Sequence, residues 1–301
     1  MFFEQVGYDD LFGNPNWNTW TKYVDDFNVL HPAKKTSVYG ELAKHFSEEK
    51  LISMVGSAKA VPSTKSVAFK VESEQCRAWL DRRLSPKDVF KGKFKLGTAG
   101  DKLFNDPHLI TWVNYVDDWN KTYDGNTLVT SILTQYYSDR TLSAILEAAK
   151  LNPETKNLAL RVQGQHFRGW LNANKSPDNV YYNVLHITPT NNLLEDPVFH
   201  TWLTYISYYN SKKPRKTSWM DSWLQKMLDK DVWLIVKVGE TSERTKYLAT
   251  YFEAALYNKY ITENFAPKTV SSKLHLGTSD KDQEFLKRYT SAFKSKNMDT
   301  A

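Results

Sequence analysis

Apolar residues recur along the chain with a helical period. Across Leu11–Asn28, the residues Trp17, Trp20, Tyr23, Val24 and Phe27 fall at i, i+3, i+6, i+7 and i+10, which is one face of an α-helix. The pattern returns as Leu109, Trp112, Tyr115, Val116 and Trp119, and again as Phe199, Trp202, Tyr205, Ile206 and Tyr209. Trp20, Trp112 and Trp202 stand 92 and 90 residues apart, so the chain reads as three tandem repeats.

Local signals divide each repeat into elements. Asn14, Asp106 and Asp196 are placed as N-caps, each followed by a proline (Pro15, Pro107, Pro197) where the missing N–H costs nothing. Asn28, Asn120 and Asn210 close these helices as residues that tolerate the left-handed C-terminal turn. A second block pairs Phe46, Tyr137 and Leu228, with Ser47, Ser138 and Asp229 as N-caps between two tightly joined helices. A third block holds a long helix bearing Val71, Cys76 and Trp79, then Val162, Phe167 and Trp170, then Phe252, Tyr257 and Tyr260. Pro86, Pro177 and Pro267 open a short helix after it.

The expected architecture is all-α, with five helices per repeat and boundaries at 1–97, 98–188 and 189–301. Short linkers at Gly97–Gly100 and Thr188–Thr190 predict repeats stacked end to end into an elongated molecule. The expected core positions are Trp20, Tyr23, Phe46 and Trp79, then Trp112, Tyr115, Tyr137 and Trp170, then Trp202, Tyr205, Leu228 and Tyr260. Near the end, Leu286, Tyr289 and Phe293 form a weak fourth copy of the first helix, suited to capping.

Composition narrows the function classes. Hydrophobic content of 41% and aromatic content of 14% supply a core and exclude a disordered chain. Only 12 glycines and 11 prolines argue against a many-stranded fold. The single cysteine, Cys76, rules out an intramolecular disulfide and suits a reducing compartment. The net charge of +6 is dispersed, which argues against a nucleic-acid footprint. No apolar run is long enough to span a membrane, and the first ten residues lack the apolar stretch of a signal peptide.

Several motifs invite sharper readings. Tyr23-Val24-Asp25-Asp26 and Tyr115-Val116-Asp117-Asp118 offer paired carboxylates of the kind that hold divalent metals, but the helical pattern places them on a solvated face. Trp233-Leu234-Ile235-Val236 fits a short motif for autophagy ubiquitin-like proteins, while its register makes it a buried helix. Lys212-Lys213-Pro214-Arg215-Lys216 is a run of nuclear-import type in a loop. The seven histidines form no zinc pattern, and Cys76 falls at a core position. No acid, base and nucleophile recur together, so an enzyme with a site between repeats is the weaker alternative.

The repeated blocks resemble the WY and LWY modules of oomycete RXLR effectors. Asp106-Pro107, Trp112, Tyr115 and Asn120 are similar to the W motif. His45-Phe46-Ser47 and Tyr136-Tyr137-Ser138 are similar to the Y motif, and Trp79-Leu80 with Ser85-Pro86 and Val89-Phe90 to the L motif. Phe46 and Leu228 at the Y position, and Tyr260 and Ala266 in the third L block, depart from the pattern. No RXLR or EER sequence occurs, so the chain is read as an effector region without its leader.

The resemblance implies a non-enzymatic, secreted virulence effector that enters the host cell. There it would act as a monomeric adaptor in the cytoplasm and nucleus, without cofactor or metal. It further implies a plant partner, the scaffold subunit of protein phosphatase 2A, bound through repeats one and two by mimicry of a regulatory subunit. A nuclear or autophagy-related host protein is the alternative. Arg161, Gln165 and Arg168, polar residues beside Val162, Phe167 and Trp170, are the expected contacts, with side chains directed away from the core.

Overall fold

The computed structural model describes residues 11–213 and 219–298, except for the side chains of 219–222. The described residues are helical and turn structure without a strand. The first repeat comprises α1 (Trp17–Leu30), α2 (Val38–Leu42), α3 (Glu48–Lys59), α4 (Lys65–Asp81) and the short α5 (Pro86–Asp88). The second repeats this order as α6 (Leu109–Thr122), α7 (Val129–Leu133), α8 (Asp139–Ala149), α9 (Pro153–Asn172) and α10 (Pro177–Asn179). The third is α11 (Pro197–Lys212), α12 (Trp219–Lys226), α13 (Asp229–Gly239), α14 (Lys246–Thr262) and α15 (Pro267–Leu274), followed by α16 (Asp280–Met298).

Helix starts follow the chemistry read from the sequence, with a shift in register. Asn14, Asp106 and Asp196 each accept a bond from the backbone N–H two residues on, at 2.9, 2.8 and 2.8 Å. Only α11 begins directly after this cap; α1 and α6 begin two residues later, past a turn at Pro15-Asn16 and Pro107-His108. The expected left-handed ends at Asn28, Asn120 and Asn210 are corrected, because all three helices run on past them. Asn28 and Asn120 clamp the following loop through their side-chain amides. Asn28 bonds both backbone groups of Thr36 (2.7 and 2.8 Å), and Asn120 those of Thr127 (2.8 and 2.9 Å). Left-handed backbone recurs instead at Arg83, Asn174 and Asn264, and at Lys95, His186 and His275, one pair per repeat, and occurs also at Asp124 just past α6 and at Gly100.

The proline-led turn differs between repeats by one residue. Val89–Lys93 and Val180–Val184 form single π turns, closed by Phe94 N–H to Val89 C=O and Leu185 N–H to Val180 C=O. The third repeat is one residue shorter here, and α15 stays α-helical to Leu274. An extra residue absorbed as a π turn leaves the flanking contacts in place.

The described chain forms two compact units. One runs to Ser138 and adds Ala149–Gln165; the other combines Asp139–Ala148 with the chain from His166 onward. In the first, Leu11, Trp17, Val24, Val38, Leu42, Leu51, Val55 and Val71 build a core under α1–α4. A second cluster in that unit sets Trp79 against Phe94 and Tyr115, with Phe90 packed on Trp112 and Tyr136. A Cβ on Gly97 would lie 2.7 Å from the Tyr136 ring, so glycine is required where the chain passes it. The other unit is built around Trp202, Tyr205, Trp223, Trp233, Phe252 and Tyr260, with Phe285 and Tyr289 of α16 fully buried in it.

Two expected core residues lie outside the core. Tyr23 is 66% exposed and Leu228 is 63% exposed, and Trp20 and Phe46 are half-buried. Leu228 takes the N-cap position of α13 in extended backbone, and Trp223 and Leu224 of α12 fill the space instead. The other eight expected positions are buried.

Candidate interaction surface

The recurrent feature is a junction between a proline-led turn and the tryptophan helix that follows it. Trp112 Nε1 donates to the Pro86 carbonyl at 2.8 Å, and Tyr115 Oη donates to the Leu84 carbonyl at 2.6 Å. Trp202 and Tyr205 repeat both bonds on Pro177 (2.9 Å) and Lys175 (2.6 Å). Tyr289 repeats the second bond on Phe265 at 2.7 Å, so α16 is a structural fourth copy of the first helix. The Leu84, Lys175 and Phe265 carbonyls lie in the link after a long helix, those of Pro86 and Pro177 at the first residue of the turn, and the aromatic donors bond them while burying the ring.

A buried polar cluster locks the first junction. Lys59 Nζ lies 2.6 Å from Glu72 Oε2 and 3.0 Å from Thr111 Oγ1, and it also donates to the Pro107 carbonyl. The other Glu72 oxygen meets His108 Nδ1 at 2.8 Å, while Lys59 and Glu72 side chains are 4% and 1% exposed. Burial alone would raise the Glu72 pKa, but the bond to His108 and the charge of Lys59 outweigh it and hold the carboxyl below its ordinary range. Gly56 makes room for this arrangement, since a Cβ there would sit 2.9 Å from His108 Nε2.

The equivalent position on the later long helices is also engaged. Gln163 accepts from Lys150 at 3.3 Å, and Glu253 pairs with Lys281 and Arg288. The sequence reading passed over this cluster because an acid, a lysine and a histidine 36 and 49 residues apart share no local pattern. Its one visible signal is a polar residue, Glu72, Gln163 or Glu253, at one register of three otherwise apolar faces.

Two of the three expected contact residues are half-buried and engaged by partners within the chain. Arg161 pairs with Asp117 and donates to Asn114 Oδ1 at 3.2 Å, as Lys70 pairs with Asp25 (3.8 Å) in the first repeat. Gln165 Oε1 accepts from the Val129 N–H at 2.8 Å, tying down the start of α7. Arg168 is exposed and belongs to the other compact unit.

The remaining motifs take structural places. Asp25, Asp26, Asp117 and Asp118 each pair with a lysine or arginine on the surface. Among the described residues, no three His, Cys, Asp or Glu side chains are grouped to hold a metal ion, and no helix is long and apolar enough to cross a membrane. Trp233 and Val236 are buried within α13, and Trp233 Nε1 donates to Asp282 Oδ1 at 2.7 Å. Cys76 is buried, and desolvation, reinforced by the Glu72 charge, pushes its thiol pKa up, which suits a core residue and not a nucleophile. Pro214, Arg215 and Lys216 of the basic run lie outside the described residues.

Comparison with known proteins matches residues 74–116 to the family described as "Effector PexRD54, WY-domain", a stretch covering the end of α4, the first turn and most of α6. The chain is 33% identical over 277 residues to the RxLR effector protein PSR2 of Phytophthora sojae, covering 90% of this chain and 41% of that protein. It is 34% identical over 261 residues to an RxLR effector protein of Phytophthora infestans (strain T30-4), covering 86% of this chain and 50% of that one. It therefore spans about half or less of the curated relatives it matches. The crystal structure of PcRxLR12 superimposes with a TM-score of 0.77 at 30% identity, over 97% of this chain and 74% of that one.

Proposed function

From the premise that the chain belongs to the RxLR effector family, we propose that it is a secreted virulence effector region that works inside host plant cells as a non-enzymatic adaptor. The observation that carries this reading is the repeated junction. The second and third tryptophan helices, α6 and α11, are each fixed to the turn before them by backbone-directed bonds, so shared residues set the scaffold and leave exposed positions to vary. The cluster of acid, base and hydroxyl groups at Glu72 is buried and internally satisfied, which suits a lock and not a reaction centre.

We further propose that the partner is the scaffold subunit of protein phosphatase 2A, engaged through the repeats spanning 1–97 and 98–188, with the third free to hold the protein whose phosphorylation is altered. The support is the resemblance of these repeats, in this order, to effectors that act as regulatory-subunit mimics. The full chain should bind purified scaffold subunit and compete with a natural regulatory subunit. Absence of binding at about micromolar concentration, the range of ordinary transient complexes, defeats the phosphatase reading. Capture from plant lysate with mass spectrometry then tests the adaptor reading by itself. An autophagy target read through Trp233 is disfavoured, because that segment is a buried helix and not an exposed strand.

A further inference from the structure

The three junctions differ at one place beside the tyrosine that anchors them. In the second, Phe167 of α9 packs on Tyr205 of α11 with ring centroids 5.5 Å apart, and Tyr208, one turn further along α11, lies 5.7 Å from Phe167. In the third, Tyr257 of α14 meets Tyr289 of α16 at 5.6 Å. In the first, the residue at this register of α4 is Cys76, and the residue one turn past Tyr115 is Asp118. A thiol and a carboxylate thus stand where the second junction has two rings.

The space those rings would take is open. A cleft of about 300 Å³ lies between α4 and α6, inside one compact unit and in the interior of the sequence. Buried Cys76 and Tyr115 are its innermost lining, with Phe69 and Leu80 beside them, while Arg77 and Asp118 are exposed. The acid deepest in it, Glu72, is already bonded to Lys59, His108 and Thr111, so the cleft offers a ligand no unpaired buried charge. A cleft beside Tyr257 is lined instead by the ion-paired Glu253, Lys281 and Arg288.

We propose that the cleft between α4 and α6 is a binding site for a tyrosine side chain of a partner protein, which supplies the ring that the chain supplies for itself at the other junctions. Tyrosine is the occupant because the chain shows it there. Tyr208 covers Phe167 in the second junction, and Tyr257 stands at the Cys76 register in the third. The lining suits a phenol, with apolar groups for the ring and the hydroxyl and amide groups of Ser73, Thr111 and Asn114 for its oxygen. One aromatic anchor in a pocket is a common way for an interface to concentrate its binding energy. Only the source of the tyrosine rests on the adaptor reading; the chemistry of the cleft does not.

Cys76 is the single cysteine, so the full chain made with carbon-13-labelled cysteine reports from the cleft alone. Titration with N-acetyltyrosinamide should move the Cys76 signal saturably, and N-acetylalaninamide should not. Asp118→Tyr, a change at an exposed side chain, places a ring where Tyr208 has one and should abolish the response. Asp118→Asn leaves the cleft open and should keep it. The proposal is overturned if the signal of the unaltered chain does not move, or if Asp118→Tyr responds as fully as Asp118→Asn. Where the phosphatase scaffold subunit binds the full chain, Asp118→Tyr should weaken that binding at least about tenfold, the size of an interface hot spot, and unchanged affinity overturns the proposal. Where it does not bind, the phosphatase reading fails by itself and the tyrosinamide titration decides the cleft.

Discussion

α1 and α6 are built from nearly the same residues, Thr19-Trp20 through Phe27 against Thr111-Trp112 through Trp119, yet their outer faces differ. The inner face is buried in both, with Trp17 and Val24 at 3% and 4% exposure and Leu109 and Val116 each at 1%. On the outer face Tyr115 is 1% exposed and Tyr23 66%. The local sequence makes the helix and its inner packing. The fate of the outer aromatic residues is decided by the turn that precedes the helix, because Leu84 and Pro86 supply the acceptors for α6. A repeated motif is therefore not a repeated environment, and the same tyrosine is core in three copies and surface in one.

The largest contrast should come from the tryptophans. Trp112→Ala is expected to destabilise by about 3–5 kcal/mol, the range for emptying a buried aromatic site. Trp20→Ala, at a half-buried position, should cost about half as much. Denaturant unfolding measures both, and equal losses would show that the outer face of α1 is as enclosed as that of α6.

The Glu72 cluster should rank next. Glu72→Ala leaves Lys59 as a buried unpaired charge and is expected to cost about 3 kcal/mol, against under about 0.5 kcal/mol for Asp26→Ala in its exposed pair on α1. Because the folded carboxyl of Glu72 is held below its ordinary pKa, its contribution is present above the unfolded value and lost as pH falls through the folded one. The gap between the unaltered protein and Glu72→Gln should shrink on acidification below the ordinary carboxylate range; a gap that widens would contradict the assignment.

Tyr115→Phe should lose about 1 kcal/mol with its hydrogen bond, and Tyr23→Phe nothing measurable. Smallest is a gain. Lys95 closes the first turn with φ of 54°, a conformation that glycine adopts freely, so Lys95→Gly should stabilise by about 0.5–1 kcal/mol. A loss in thermal unfolding would mean that the Lys95 side chain makes a contact that matters more than its backbone.

Much of the fold was legible before any coordinates. Residues that repeat at one period and alternate at another leave few alternatives, as the tryptophan helices and the proline-led turns show. Errors gathered where a residue's task depends on a distant partner. Asn28 read as a helix end because asparagine tolerates left-handed backbone, but it clamps Thr36 eight residues on. Arg161 and Gln165 read as free surface because they flank apolar neighbours, but they bind Asp117 and the Val129 N–H on other helices.

By itself the sequence determined the all-helical class, the periodicity, the cap chemistry and the inner faces, because these depend on interactions within about four residues or on patterns repeated along one helix. Tertiary structure alone decided which copy of a repeated tyrosine is covered, that Lys59, Glu72 and His108 meet in one buried cluster, and that Tyr289 reaches the Phe265 carbonyl. Those outcomes depend on donors and acceptors separated by 13 residues or more along the chain. No local pattern records which of several equivalent helices reaches a given carbonyl.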